Sequence, residues 1–130
     1  MRALVVDDSS TIRDIVGTIL KRSFGFEVIE AANTAEALRQ PGPFDLVVTD
    51  LVMPEEQGFS LIRELRSRDE TRTVPILVIS VEVHPDVPKH AVLAGADRFL
   101  GKPFRLEQLT AVVREMLDLP PQAGQTPEPR

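Results

Sequence analysis

Five side chains could do chemistry together. Asp7 and Asp8 form an adjacent acidic pair, Asp50 is a third acid, Ser80 offers a hydroxyl and Lys102 an ammonium. Each stands where an apolar run ends: VVDDSS, VVTD, VIS and the GKPF stretch. Neighbouring acids repel, and an unpaired buried charge is costly, so Asp7 and Asp8 need compensation from helix-terminal N–H groups, a basic side chain or a cation. Three acids at one rim favour a hard divalent cation. With only oxygen ligands, and with His84 and His90 elsewhere in the sequence, Mg2+ fits better than a transition metal. Such an ion keeps waters and shares a phosphate oxygen, while Lys102 and Ser80 bind the other phosphoryl oxygens. One acid is then left to attack phosphorus and form an acyl phosphate. Singly, these residues have duller readings. Asp8 or Ser9 could cap a helix, Asp50 could be a loop acid, Ser80 a strand-end hydroxyl and Lys102 a solvated lysine. Those readings fail jointly, because all four residue types fall at strand ends.

The elements that must hold these groups alternate in period. Apolar strands are expected at Arg2–Val6, Phe26–Glu30, Phe44–Thr49, Pro75–Val81 and around Phe99 and Leu100. Between them come helices over Ser9–Arg22, Thr34–Gln40, Gly58–Arg68 and Asp86–Ala94, with a last helix from Leu106 to near Leu119. In the first helix Ile12, Ile15, Val16, Ile19 and Leu20 form one apolar face, and in the last Leu106, Leu109, Val113 and Met116 do so. Pro85 and Pro88 must sit at or near the first turn of the fourth helix, which reads as weak and as the most mobile part of the fold. Five strands alternating with five helices specify an α/β fold with a parallel sheet covered on both faces, and the continuous apolar strands suit such a sheet. Ligands of an open parallel sheet bind beyond the carboxyl ends of its strands, where the five chemical residues lie.

The chain has 130 residues, enough for one domain that buries about two-thirds of its unfolded surface. Its net charge of −5 argues against a broad nucleic-acid footprint. It has no cysteine, which excludes disulfides and thiolate chemistry. No apolar run approaches a membrane span or a secretory signal, so a cytoplasmic, soluble protein is expected. Residues 1–119 read as the domain; the Pro-rich stretch 120–130 reads as a disordered tail or the start of a linker.

At VVDDSS, VVTDLVMP, VIS and GKPF the sequence resembles the receiver domain of two-component response regulators, most of all the stand-alone chemotaxis type, over residues 2–119. The resemblance implies a flavodoxin-like sheet of order 2-1-3-4-5. It implies Asp50 as phosphoacceptor, with Asp7, Asp8, Asp50 and the backbone carbonyl of Val52 holding Mg2+. By the same resemblance Lys102 is the lysine that binds the phosphoryl group, with a cis bond to Pro103, Ser80 is the switch hydroxyl, Phe99 the aromatic that swings inward, and Gly58 the glycine of the loop after the acceptor. Implied partners are a sensor histidine kinase as phosphodonor and a separate downstream protein. The latter would meet the fourth helix, last strand and fifth helix through Val83, Val87, Arg98 and Phe99. Neither nucleic acid nor membrane is bound directly, and the chain is a monomer or a phosphorylation-linked dimer. Such a chain is a signalling switch and not an enzyme with a separate substrate. The sequence departs from the family at Val52, two past the acceptor, where an apolar side chain should alter attack by water, and at Glu55-Glu56-Gln57, read as a solvated charge pair. His84 and His90 read as surface residues. The alternative is a pseudo-receiver, a constitutive binding module; its usual mark, loss of an acid or of the lysine, is lacking.

Overall fold

In a computed structural model, residues 1–53, 56–81 and 86–119 are described, with the side chains of 52, 53, 56–58 and 87 left aside. Strands β1 (Arg2–Val6), β2 (Glu27–Ala31), β3 (Leu46–Thr49), β4 (Ile76–Ser80) and β5 (Arg98–Gly101) form one sheet. All its pairings are parallel, in the order β2-β1-β3-β4-β5, as the resemblance implied. The helices are α1 (Ser10–Phe24), α2 (Thr34–Arg39), α3 (Gly58–Ser67), α4 (Val87–Ala94) and α5 (Leu106–Met116).

Alternation along each strand divides the core in two. Ala3, Val5, Leu46, Val48, Leu77 and Ile79 face α1 and α5, packing on Val16, Leu20, Leu109, Val112 and Val113. Leu4, Val6, Val47, Ile76 and Val78 face the other way, against Ala37 of α2, Leu61, Ile62 and Leu65 of α3, and Ala91 of α4. Both sheet faces are therefore dry, which is why the strands read as unbroken apolar runs.

Local signals set the helix ends. Ser9 caps α1, its Oγ accepting from the Ile12 amide at 3.3 Å, so the cap falls to Ser9 and not to Asp8. Gly25, at φ 72°, closes α1 in the left-handed conformation that glycine adopts without a Cβ clash. Asn33 and Glu36 cap α2, which is only six residues long before Pro41-Gly42-Pro43 ends it. Pro88 lies in the first turn of α4, as expected.

Two apolar assignments need correction. Ile15 is 44% exposed and Leu106 is 53% exposed, so neither lies on its helix's inner face. Both sit at the edge of an apolar stripe, and the sheet covers only the centre of that stripe. A short antiparallel ladder between Val52–Met53 and Glu56–Gln57 was not anticipated, since two-residue strands have no readable period. Pro54, Glu55, Val83, His84, Pro85 and residues 120–130 lie outside the described residues, as does the side chain of Val87, so the expectations for them stand as expectations.

Candidate functional site

Backbone register brings the chemical residues together. Val6 pairs with Thr49, so Asp7 and Asp50 leave adjacent strands side by side. The Asp7 amide donates to the Ala31 carbonyl at 3.1 Å, and the Asp50 amide to Val6 at 3.0 Å. Ser80, the last residue of β4, pairs with Gly101, and its carbonyl accepts from the Lys102 amide at 3.0 Å. The peptide between Lys102 and Pro103 is cis, as the resemblance implied.

The Lys102 ammonium bridges two acids, reaching Asp7 Oδ2 at 3.0 Å and Asp50 Oδ2 at 3.1 Å. Asp7 and Asp50 are only 3% and 5% exposed, whereas Asp8 faces solvent. The second oxygen of Asp7 accepts from the Ser9 amide at 2.9 Å. Carboxylate oxygens of Asp7, Asp8 and Asp50 all lie within 4.8 Å of one another. Ser80 is fully buried, and its Oγ has no hydrogen-bond partner among the described residues.

The charges do not balance locally: three acids face one lysine. Burial is the largest influence on Asp7 and pushes its carboxyl above the usual range; the Asp50 charge adds to this, and the Ser9 amide and Lys102 only partly oppose it. For Lys102 burial is again largest and pulls the ammonium down. Hydrogen bonds to Asp7 and Asp50, with their charges, outweigh it and hold Lys102 above its ordinary value.

The donor set suits a hard divalent cation. It consists of oxygen atoms only, carries excess negative charge and is open to solvent on the Asp8 side. The orphaned Ser80 hydroxyl lies outside that donor set and is a mark of a second ligand, because a buried polar group without a partner is costly unless a ligand supplies one.

Phe99 is partly buried and packs against the core on the α3 and α4 side. His90 is on the surface. One supporting residue escaped the sequence reading. Arg13, one turn past the α1 cap, donates to the Asp7 carbonyl at 2.6 Å and pairs with Glu30 at 3.0 Å, tying α1 and β2 to the acidic turn. Its position four residues after Ser9 was the available clue.

Residues 3–114 match the response regulator receiver domain, and the chain belongs to that family, whose function is phosphorylation-dependent signalling. It is 37% identical over 121 residues to chemotaxis protein CheY-3 of Vibrio cholerae, covering 91% of this chain and 89% of that protein. The solved structure of chemotaxis response regulator CheY4 of Vibrio cholerae superposes with a TM-score of 0.82 at 34% identity, covering 89% of this chain and 98% of that one. The receiver domain of the sensor histidine kinase PA1611 of Pseudomonas aeruginosa has a TM-score of 0.77 at 26% identity. That comparison covers 90% of this chain and 97% of that one, whose structure has a magnesium ion coordinated in the active-site cleft.

Proposed function

We propose that Asp50 is the phosphoacceptor of a Mg2+-dependent switch. A sensor histidine kinase supplies the phosphoryl group, and the phosphorylated form binds a separate downstream protein. The observation that carries the reading is the cluster itself: a buried Asp50 bonded to Lys102, flanked by Asp7 and Asp8, near the carboxyl end of the strand that presents the unpartnered Ser80 hydroxyl.

Asp50 is the acid best suited to attack. Asp7 has one oxygen on the Lys102 ammonium and the other taken by the Ser9 amide, and Asp8 is exposed, so both are better ion ligands than nucleophiles. A carboxylate oxygen of Asp50 forms the new O–P bond as the donor's P–N bond breaks, and the departing imidazole keeps the electron pair and takes a proton from solvent. Lys102 orients the transferred group and offsets its charge; Ser80 donates its hydroxyl to a phosphoryl oxygen. Asp7, Asp8, Asp50 and the Val52 carbonyl would hold Mg2+, which when bound neutralises charge developing on the phosphoryl oxygens. The chain assists its own phosphorylation and dephosphorylation and acts on no separate substrate.

Only contacts that differ between two states can move the equilibrium between them. Drawing Ser80 and Lys102 onto the phosphoryl group frees the space into which Phe99 rotates, which remodels the face built from α4, β5 and α5. That face, with exposed Val92 and Arg98, is where the downstream protein docks. Among the described residues no helix is long and apolar enough to cross a membrane, and the reading puts the chain in the cytoplasm with its kinase. It works as a monomer or a phosphorylation-linked dimer, without contacting nucleic acid itself. The pseudo-receiver reading is not favoured, since all three acids and the lysine are retained.

Intact-mass measurement after incubation with acetyl phosphate tests the reading. One Mg2+-dependent phosphoryl adduct is expected in the wild type and none in Asp50→Asn. An adduct of equal yield in the variant, or one formed equally well in chelator, would overturn it.

A further inference from the structure

Away from the acidic rim, α3 and α4 enclose an open groove of about 370 Å3 lined by Phe59, Arg63, His90, Leu93 and Ala94. Its end is anchored. Arg66 donates to the Gly95 carbonyl at 2.9 Å, and a Cβ on Gly95 would lie 2.8 Å from Arg66 Cγ, so the C-terminus of α4 is seated directly on α3.

The lining pairs apolar surface with nitrogen donors. Leu93 is 73% exposed, the most exposed large apolar side chain among the described residues. Arg63 is exposed and has no acidic partner among them, and the His90 side chain has no hydrogen bond there either. The neighbouring arginines differ. Arg66 pairs with Asp97, Arg68 with Glu64 and Arg72 with Asp69. Arg22 and Arg39 lack an acidic partner among the described residues as well, but Arg63 is the one that lines a groove with an exposed leucine. Val92, one position before Leu93 and about 100° around the helix, does not line the groove, so this surface is separate from the face that carries Val92 and Phe99.

We propose that the groove docks a partner-protein segment in which a carboxylate lies next to a large apolar side chain. The carboxylate is received by Arg63 and His90, and the apolar group covers Phe59 and Leu93. The net charge of −5 disfavours a nucleic-acid occupant, whose whole backbone is anionic, more than a peptide with one or two acids. The pocket is large enough for one or two side chains and too open to enclose a small molecule. Docking here does not require phosphorylation of Asp50.

The test is a heteronuclear NMR titration of the unphosphorylated full chain with a blocked helical peptide bearing leucine and aspartate on one face. Saturable shifts are expected at the amides of residues 59, 63, 90 and 93. Arg63→Gln and, separately, Leu93→Ser should each weaken binding about tenfold, while Val92→Ser leaves it unchanged. Both replaced side chains are exposed, so the folded spectrum should persist in each variant. Shifts centred on Val92 and Phe99, equal binding of the peptide with asparagine for aspartate, tighter binding of a DNA oligonucleotide at the same residues, or no saturation at millimolar peptide would each overturn the proposal. Because no phosphodonor is present, failure here leaves the assignment of Asp50 untouched.

Discussion

At the residue scale, the site's behaviour follows from two buried acids that share one ammonium beside a third, exposed acid. The Asp7 carboxyl is raised chiefly by burial, so the folded state holds that proton more tightly than the unfolded chain does. Stability is then gained as pH falls through the raised value toward the ordinary one near 3.8, and lost again as pH rises. Asp7→Asn should therefore be more stable than wild type at pH 7 without Mg2+, and the advantage should shrink toward pH 4. Denaturant melts at the two pH values check this; an advantage that grows at low pH would contradict it. Lys102 has the opposite consequence. Its raised value adds stability that is complete below about 10.5 and is lost as pH climbs above it.

At the element scale, α4 should be the part most open to rearrangement. It spans eight residues, has Pro88 in its first turn and makes no side-chain cap bond through Asp86. Amide exchange should be faster in Val87–Ala94 than in Ile12–Leu20, where a capped helix of fifteen residues packs on the sheet. Equal protection would defeat that expectation. The C-terminal end of α4 is instead fixed by a clamp. Arg66 pairs with Asp97 at 2.9 Å and bonds the carbonyls of Gly95 and Val74, while Asp97 also accepts from the Ile76 amide at 2.8 Å. Asp97→Ala removes the acceptor of the Ile76 amide, while Arg66 keeps its carbonyl bonds, and should cost about 1–2 kcal/mol in denaturant melts; a loss under about 0.5 kcal/mol would mean that solvent replaces the carboxylate.

Legibility in the sequence divides along these elements. The strands and the acidic rim were readable because a doubly covered sheet demands continuous apolar runs, and because parallel topology puts every strand's carboxyl end on one side. Thus Asp7, Asp50, Ser80 and Lys102 could be grouped before any geometry was known. The Arg66 clamp was not readable. Its partners lie at Gly95, Asp97, Val74 and Thr71, and nothing local in RELRSRDETR distinguishes Arg66 from Arg63 or Arg68. Ile15 and Leu106 show the same limit, since periodicity finds a stripe but not its covered width.

At the scale of the whole molecule, a ligand that binds only the folded chain raises its stability. Mg2+ should therefore raise the melting temperature with the logarithm of its concentration, the stabilisation being about 2.7 kcal/mol at a hundredfold excess over its dissociation constant. Chelator should reverse the effect, and Asp8→Ala should weaken it while leaving the metal-free melt nearly unchanged, because Asp8 faces solvent. A melt that is the same in chelator and in excess Mg2+ would argue that Lys102 alone satisfies the acids.

The central claim is that Asp50 carries the phosphoryl group. Borohydride reduces an acyl phosphate to the alcohol, so trapping the phosphorylated chain and mapping its peptides identifies the modified acid directly. Homoserine is expected at position 50 and at no other of the 20 acidic positions. Homoserine at position 7 or 8 instead, with Asp50 unmodified, would contradict the account.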